Sequence, residues 1–391
     1  MAVSGIIAEF NPLHSGHKYI IDCARGENNT VVAVISGNFV QRGDTAILSK
    51  TKRAEAALLC GADIVAELPV LWSMSTAQNF ALGGVWQLYA LGCDEIVFGS
   101  ECGDIEKLKS AADVLFSDEF HTLVAQKVSA GITFAAARQS AGEELGIEKG
   151  ILENPNDNLG LEYICAAKRL NIPIDFRCVK RVGAGHDSKV AKNGYVSASF
   201  IRERLLSGEI GFTERYMPSV LRGLINPENI SDIRRIERAV LSVLRTKSEE
   251  DLKNLPDLSE GIENKLYFSL RVADGLENLY NMIKTKRYTM ARVRRLVLSA
   301  FLGFDKRFFM TAPPYVRLLG FSEKGALHLK NTPSFSPIIT KASQIKELDN
   351  DAQAVFETEC RATDLYALSF DKPAACGGEY TAKLLKTEKL R

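Results

Sequence analysis

Along the first half of the chain, hydrophobic and polar positions alternate between two rhythms. Short apolar runs rich in β-branched residues recur at Val3–Ala8 (VSGIIA), Thr30–Ser36 (TVVAVIS), 63–69 (DIVAELP), 94–100 (DEIVFGS) and 172–179 (IPIDFRCV). Between them lie stretches with a helical period: 16–24, 50–60 (halted by Gly61), 77–91 and 159–170, with another helix opening at 199–206. Continuous apolar strands separated by amphipathic helices predict a parallel sheet covered on both faces, an α/β fold of the Rossmann-like, doubly wound kind. Ligands in such sheets lie beyond the carboxyl ends of the strands, so the loops after each strand are where chemistry is expected.

From about residue 210 the rhythm changes. Residues 232–303 form long helical segments rich in Arg, Leu and Glu, without strand alternation. From about residue 315 the elements become short and mixed, as in PYVRLLGFS and SPIITKAS. The expected organisation is an α/β unit over 1–207, a helical, basic unit over 208–308, and a small mixed region over 309–391. Neither internal repeats nor low-complexity segments interrupt this, and the tail KLLKTEKLR is basic.

Composition changes the picture little. At 46% hydrophobic and 25% charged residues, the 391-residue chain can bury a sizeable core. No apolar run approaches the roughly 18–20 residues that span a membrane, and the N-terminus lacks a secretory pattern. Eight cysteines without a CxxC pair read as free thiols in a reducing, cytoplasmic setting, not as a disulfide framework or structural zinc site. A net charge of +1 means that any nucleic-acid surface must be local.

The sharpest chemical signal is GIIAEFNPLHSGHKYII, residues 5–21, which holds two of the five histidines, His14 and His17. They end the first strand and open the first helix, with Gly16 between them allowing a ligand close to the backbone. A helix N-terminus offers unpaired N–H groups and a positive dipole end to phosphate, and imidazoles there can donate to phosphate oxygens and stabilise departing pyrophosphate. Two plainer readings exist. The pair could be ordinary half-buried polar residues, or metal ligands, although zinc ligands on one helix usually stand four apart, as in HExxH. The Asn-Pro before the pair and the strand–turn–helix setting favour a nucleotide. A second candidate is VSASFIRERL, 196–205, where Ser197 and Ser199 can start a helix and Arg202 lies three residues on, a pattern suited to a triphosphate.

NPLHSGH resembles the HxGH signature of the nucleotidyltransferase superfamily, which includes pantetheine-phosphate and nicotinamide-mononucleotide adenylyltransferases and class I aminoacyl-tRNA synthetases. SASFIR is similar to that superfamily's second signature. Within it, the chain resembles the bacterial tRNA-methionine cytidine acetate ligases. The stretches that carry the resemblance run in order over nearly the whole chain: GIIAEFNPLHSGH, ISGNFVQRGDTAILSKTKRAEAAL, GADIVAELP, FGSECGD, PNDNLGLEY, IKTKRYTMARVRR, PYVRLLGFSEKG and TDLYAL. It implies an ATP-dependent ligase that activates acetate as acetyl-adenylate, releases pyrophosphate, and acetylates N4 of the wobble cytidine of elongator tRNA-Met. It implies His14 and His17 as catalytic. It implies an ATP-binding stretch of Ile7, Ala8, Glu9, Phe10, Asn11, Pro12, Leu13, His14, Ser15, Gly16, His17, Lys18, Tyr19 and Ile20. Gly99, Asn156 and Arg181 join that set, with Ser199 and Arg202 from the second signature. The chain departs from the family pattern at Asn38, where a His is expected, and at Asn158, where an apolar residue is usual, so the nucleotide contact is either Asn156 or Asn158.

An RNA-docking surface is expected at IKTKRYTMARVRRL, 283–296, where Lys284, Lys286, Arg287, Arg292, Arg294 and Arg295 occur without an acid and Tyr288 could stack on a base. A solvated helix face is the bland alternative. RCVKRVGAGHDSKVAK, 177–192, is a second basic stretch, suited to triphosphate or RNA, or else a loop around Gly183 and Gly185. In SGNFVQRGDTAILSK, 36–50, Gln41, Arg42 and Lys50 could face substrate or form an ordinary surface loop. His121 and His328 read as structural. Expected partners are elongator tRNA-Met, acetate and ATP, with Mg2+ accompanying ATP, no tightly bound cofactor and no membrane; the sequence leaves the oligomeric state open. The competing readings are a small-molecule adenylyltransferase and a tRNA-binding protein without catalysis.

Overall fold

A computed structural model describes residues 2–181, 196–259 and 261–389. Ten strands are present among them: β1 (Val3–Ala8), β2 (Thr30–Ser36), β3 (Phe39–Val40), β4 (Asp44–Thr45), β5 (Ile64–Leu68), β6 (Glu95–Ser100), β7 (Asp175–Lys180), β8 (Val316–Phe321), β9 (Ile338–Ile339) and β10 (Leu385–Lys386). The expected parallel sheet runs β5-β2-β1-β6-β7. Its register pairs Ile7 with Val34 across β1 and β2, and Gly99 with Val179 across β6 and β7. The chain winds outward from β1 through β2 to β5, then returns to the other side of β1 to lay down β6 and β7. The switch point, where a crevice opens, therefore lies beyond the carboxyl ends of β1 and β6.

Period-two alternation within the strands separates two cores. On one face Val3, Ile7, Val32, Val34, Ile64, Ala66, Ile96 and Phe98 pack with Phe80, Val85 and Leu88 of the helix Ala77–Ala90 and with Leu161 and Ile164 of the helix Pro155–Leu170. On the other, Ile6, Val31, Ala33, Ile35, Val65 and Val97 pack with the helices Ser15–Arg25, Lys50–Leu59 and Ala198–Leu206, through Ile21, Ala24, Ala54, Leu58, Ile201 and Leu205. This is the doubly wound arrangement the sequence implies.

The helical region packs Val240, Leu244, Leu266, Leu270, Leu279, Ile283, Val293 and Val297 into a core continuous with the first face of the sheet. The boundary near 308 does not isolate the third region. Its buried strand β8 pairs antiparallel with β5, setting Arg317 opposite Glu67, and β9 and β10 pair with β8. The strand VRLLGF completes an edge that β5 would otherwise expose.

That edge is closed by buried charge. Lys50 is 4% exposed, so it neither faces substrate nor lies on a surface loop, the two readings its sequence offered. Its Nζ lies 2.5 Å from Glu67 Oε1 and 3.2 Å from Glu359 Oε1, and it also pairs with Glu379. Arg317 pairs with Glu379 at 2.8 Å and lies 3.8 Å from Glu67. Burial opposes the Lys50 charge, but Glu379, Glu67 and Glu359 outweigh it and hold the ammonium above its ordinary range. Burial and then the nearby Glu359 push the Glu67 carboxyl well up, whereas Lys50 and Arg317 overcome burial at Glu379 and hold it low. Asn38 belongs to this cluster: Oδ1 accepts from the Lys50 N–H at 2.8 Å and Nδ2 donates to Thr363 Oγ1 at 3.0 Å. Removing one member of a buried ionic cluster strands its partners, so Lys50→Met is expected to cost about 3–5 kcal/mol of stability. Urea unfolding measures this, and a loss below ~1 kcal/mol, the range of an exposed pair, would contradict the role.

Candidate active site

Beyond Ala8 the chain turns through Glu9–Leu13 into the helix Ser15–Arg25. Phe10 takes a φ of 46°, uncommon for a residue with a side chain, and its buried ring meets His17 edge-on at 5.2 Å. His14 is the N-cap. Its Nδ1 accepts from the Gly16 N–H at 3.0 Å, while His17 Nδ1 accepts from the His14 N–H at 3.4 Å. The two imidazoles stack at 3.9 Å and 24°. This is a capping box built from histidines where Ser and Glu are usual. An Nδ1 that accepts leaves the proton of a neutral ring on Nε2. Burial, with Arg181 and Arg202 nearby, pulls His14 down to about 3. At neutral pH His14 is therefore an uncharged Nε2–H donor, not an imidazolium.

The rest of the stretch is placed around this cap. Ile7, Phe10, Asn11 and Leu13 are buried under the turn. Ser15 Oγ donates to the Tyr216 carbonyl at 2.9 Å, Lys18 pairs with Asp22 on its own helix, and Tyr19 is 41% exposed. Ser197 caps the helix Ala198–Leu206 by accepting from the Phe200 N–H, which puts Ser199 in the first turn. Arg202 on that helix donates to the Asn11 carbonyl at 2.7 Å. The second signature thus meets the first.

The residues from β6 and β7 converge as well. A Cβ on Gly99 would stand 3.4 Å from Arg181 Cγ and 3.6 Å from Ile20 Cδ1, so the bare backbone keeps open the space between these two. Arg181 Nη1 donates to Asn156 Oδ1 at 3.2 Å, and Asn156 Nδ2 donates to Glu101. Asn158 is turned away: its Oδ1 accepts from Arg138 Nη1 at 2.6 Å, beside the Arg138–Glu162 pair. Of the two asparagines, Asn156 is the one beside Arg181. Of the basic stretch 177–192, the part from 182 onward, with Gly183 and Gly185, lies outside the described residues.

Two supports went unnoticed in the sequence. Asp157 is fully buried and accepts from the backbone N–H groups of Glu101 at 3.0 Å and Cys102 at 3.1 Å, fixing the turn after β6. Arg53, also fully buried, donates to the carbonyls of Glu9 at 2.7 Å, Ser36 at 2.9 Å, Leu48 at 3.0 Å and Gly37. The loop 36–50 is tied to the turn a second way, since Glu9 Oε1 accepts from the Gln41 N–H at 2.8 Å and Asn11 Oδ1 from the Ile47 N–H at 2.7 Å. An Arg inside the helical run KTKRAEAALL was the only signal for Arg53.

The basic segment 283–296 is not one uniform surface. Lys286 and Arg287 are exposed, and Lys284 Nζ donates to the Thr285 carbonyl at 2.6 Å. Arg292 donates to the Asp257 carbonyl at 2.9 Å and to Ser259 Oγ at 2.8 Å, and its guanidinium pairs with Asp257 at 3.2 Å. Arg294 lies over the Tyr280 ring at 5.5 Å, and Arg295 Nη1 donates to the Gln41 carbonyl at 3.1 Å. Tyr288 is 6% exposed and sits under Arg292, so the expected stacking on a base is not available to it.

A family model described as HIGH Nucleotidyl Transferase matches residues 1–379. A tRNA(Met) cytidine acetate ligase of Caldanaerobacter subterraneus subsp. tengcongensis is 38% identical over 390 residues, covering 95% of this chain and 96% of its own. The chain belongs to the tRNA(Met) cytidine acetate ligase family of HIGH nucleotidyl transferases. Another member, from Thermoanaerobacter sp. (strain X514), is 36% identical over 402 residues, covering 99% of this chain and 100% of its own. Among solved structures, apo Thermotoga maritima TmcAL superposes with a TM-score of 0.91 at 30% identity, over 99% of this chain and 100% of that one. The same protein bound with alpha-thio ATP gives 0.89 at 29% identity, with the same coverage.

The depressed His14 carries a stability signature. Unfolded, the ring takes up a proton below its ordinary value of 6.5; folded, it does so only near 3. Stability is therefore whole above 6.5 and lost as pH falls toward 3. His14→Asn keeps a capping acceptor without a titrating ring. Urea unfolding at pH 7 and pH 5 is expected to show a smaller loss in the variant; equal losses would mean that His14 is protonated in the folded protein.

Proposed function

We propose that this protein is an ATP-dependent tRNA(Met) cytidine acetate ligase of the cytoplasm. The observation that carries the reading is the histidine-capped helix N-terminus at the switch point of the sheet, with Arg181 and Arg202 beside it, in a chain whose relatives bear that name along their full length. The alpha-thio ATP bound by the superposable Thermotoga maritima protein supports ATP binding by this chain.

In the first step an acetate oxygen attacks the α-phosphorus of ATP, the bond from that phosphorus to the β-phosphate bridging oxygen breaks, and pyrophosphate leaves with the bonding pair. The helix N-terminus, the His14 Nε2–H and His17 stabilise the negative charge that gathers on the phosphates. Arg202, Arg181 and Ser199 hold the triphosphate. The adenosine lies along the backbone at Gly99, beside Ile20 and Asn156. Mg2+ would arrive on the phosphates of ATP. Among the described residues, no group of three or more His, Cys, Asp or Glu could hold a metal ion. In the second step cytidine N4 attacks the acetyl carbon, AMP departs with the anhydride oxygen, and N4 loses a proton to solvent. Adenylation is needed because the N4 lone pair is delocalised into the ring and free acetate is a poor electrophile. The helical region 208–308 docks the RNA, with Lys286 and Arg287 as exposed phosphate contacts next to Lys284, whereas Arg292, Arg294 and Arg295 are engaged within the protein by Asp257, Tyr280 and Gln41.

The test is nucleoside mass analysis of elongator tRNA-Met after incubation with the protein, ATP and isotopically labelled acetate. N4-acetylcytidine carrying the label is expected. ATP cleavage without any labelled nucleoside would send the search to a small-molecule acceptor. Lys286→Ala with Arg287→Ala should flatten the salt dependence of tRNA binding by about 0.7–0.9 in log–log slope for each phosphate left without its cation. An unchanged slope would make this corner a solvated face.

A further inference from the structure

The basic helix Met290–Leu302 packs on the loop 36–50, which is tied to the turn Glu9–Leu13. Arg295 projects from that helix with its side chain 15% exposed and donates Nη1–H to the Gln41 carbonyl at 3.1 Å, while Nη2 lies 3.8 Å from Asp257. The N–H of the same Gln41 donates at 2.8 Å to the carboxylate of Glu9, the residue that follows β1. Two residues on, Gly43 takes a φ of +73°, and a Cβ there would meet Arg294 Cβ and the Arg295 nitrogen, each at 2.6 Å. The loop backbone therefore lies directly on the helix backbone, with no room for a side chain between. Glu9 is in turn held by Arg53 through its carbonyl, and Asn11, two residues further, by Arg202 and the Ile47 N–H. Charge-assisted bonds of this kind are short and directional, so a shift of Gln41 is passed to the turn that carries His14.

We propose that Arg295 is a positioning residue for the nucleotide site: from the helical region it holds the Gln41 carbonyl, and through Gln41 and Glu9 it sets the turn on which His14 and His17 meet ATP. Arg295 acts on ATP and not on RNA, although it stands within the basic run. The proposal rests on the reading of that turn as the ATP site.

The experiment measures ATP affinity by calorimetry in the absence of tRNA, and the salt dependence of binding to a tRNA(Met) transcript, for wild type, Arg295→Ala, Arg295→Lys and Gly43→Ala. Thermal melts establish that each variant is folded at the working temperature. Losing the hydrogen bond is expected to weaken ATP binding about tenfold in Arg295→Ala. Arg295→Lys, which keeps a donor, should recover most of it. Gly43→Ala, which forces the joint apart from its other side, should also weaken ATP binding. The tRNA salt slope should stay that of wild type in all three. Wild-type ATP affinity in Arg295→Ala and Gly43→Ala would overturn the proposal, as would an Arg295→Ala effect confined to a shallower tRNA salt slope. Should Arg295→Ala not fold, Arg295→Lys and Gly43→Ala decide it: weakened ATP binding in Gly43→Ala alone supports the joint, and unchanged binding in both overturns it. Failure of the ATP-site reading would show separately, as absence of ATP binding in the wild type.

Discussion

The Arg53 guanidinium, buried where β1 and β2 end, is the contact on which the site depends. Its N–H groups are directed at main-chain carbonyls from Glu9, Ser36, Gly37 and Leu48, so one side chain joins the turn Glu9–Leu13, the end of β2 and the far limb of the loop that follows it. Burial lowers it to about 10, which still leaves it charged at neutral pH. A buried cation of this kind is tolerable because carbonyl oxygens at the carboxyl ends of parallel strands point toward it. With the turn fixed from below, the two histidines cap the helix start through their Nδ1 atoms without rearrangement.

The second constraint is the buried ionic cluster of Lys50, Glu67, Glu359, Glu379 and Arg317. It draws its members from the start of the helix Lys50–Leu59, from β5, from β8, from the helix Asn350–Tyr366 and from the short helix Gly378–Thr381. The C-terminal region therefore closes the edge of the catalytic sheet, and Asn38 joins the cluster to the same loop that Glu9 and Asn11 hold. The loop 36–50 is bounded by Arg53 and the nucleotide turn on one side, the charge cluster on another, and Arg295 on a third.

Much of this could be read from the sequence. The five parallel strands were legible because apolar β-branched runs alternate with helical periods. The family membership was legible because the residue types, spacing and order of its motifs repeat a family pattern. What stayed hidden was long-range pairing. Lys50 looked like a surface cation because its carboxylate partners lie up to several hundred residues away in the chain. Nothing local in VRLLGF says that it pairs antiparallel with β5. Asn156 and Asn158 differ only in which side of a helix start they occupy, and only Arg181 and Arg138 tell them apart. The basic run concealed a division of labour for the same reason, since Asp257 and Gln41 engage Arg292 and Arg295 from distant positions.

The most direct test of the account is acetate-dependent exchange of labelled pyrophosphate into ATP, measured without tRNA, for the wild type and His17→Ala. The wild type should exchange only when acetate is present, and His17→Ala, folded by its melting curve, should exchange about a hundredfold more slowly or worse. Exchange that needs no acetate, or that His17→Ala retains, would contradict the claim that this histidine-capped turn activates acetate on ATP.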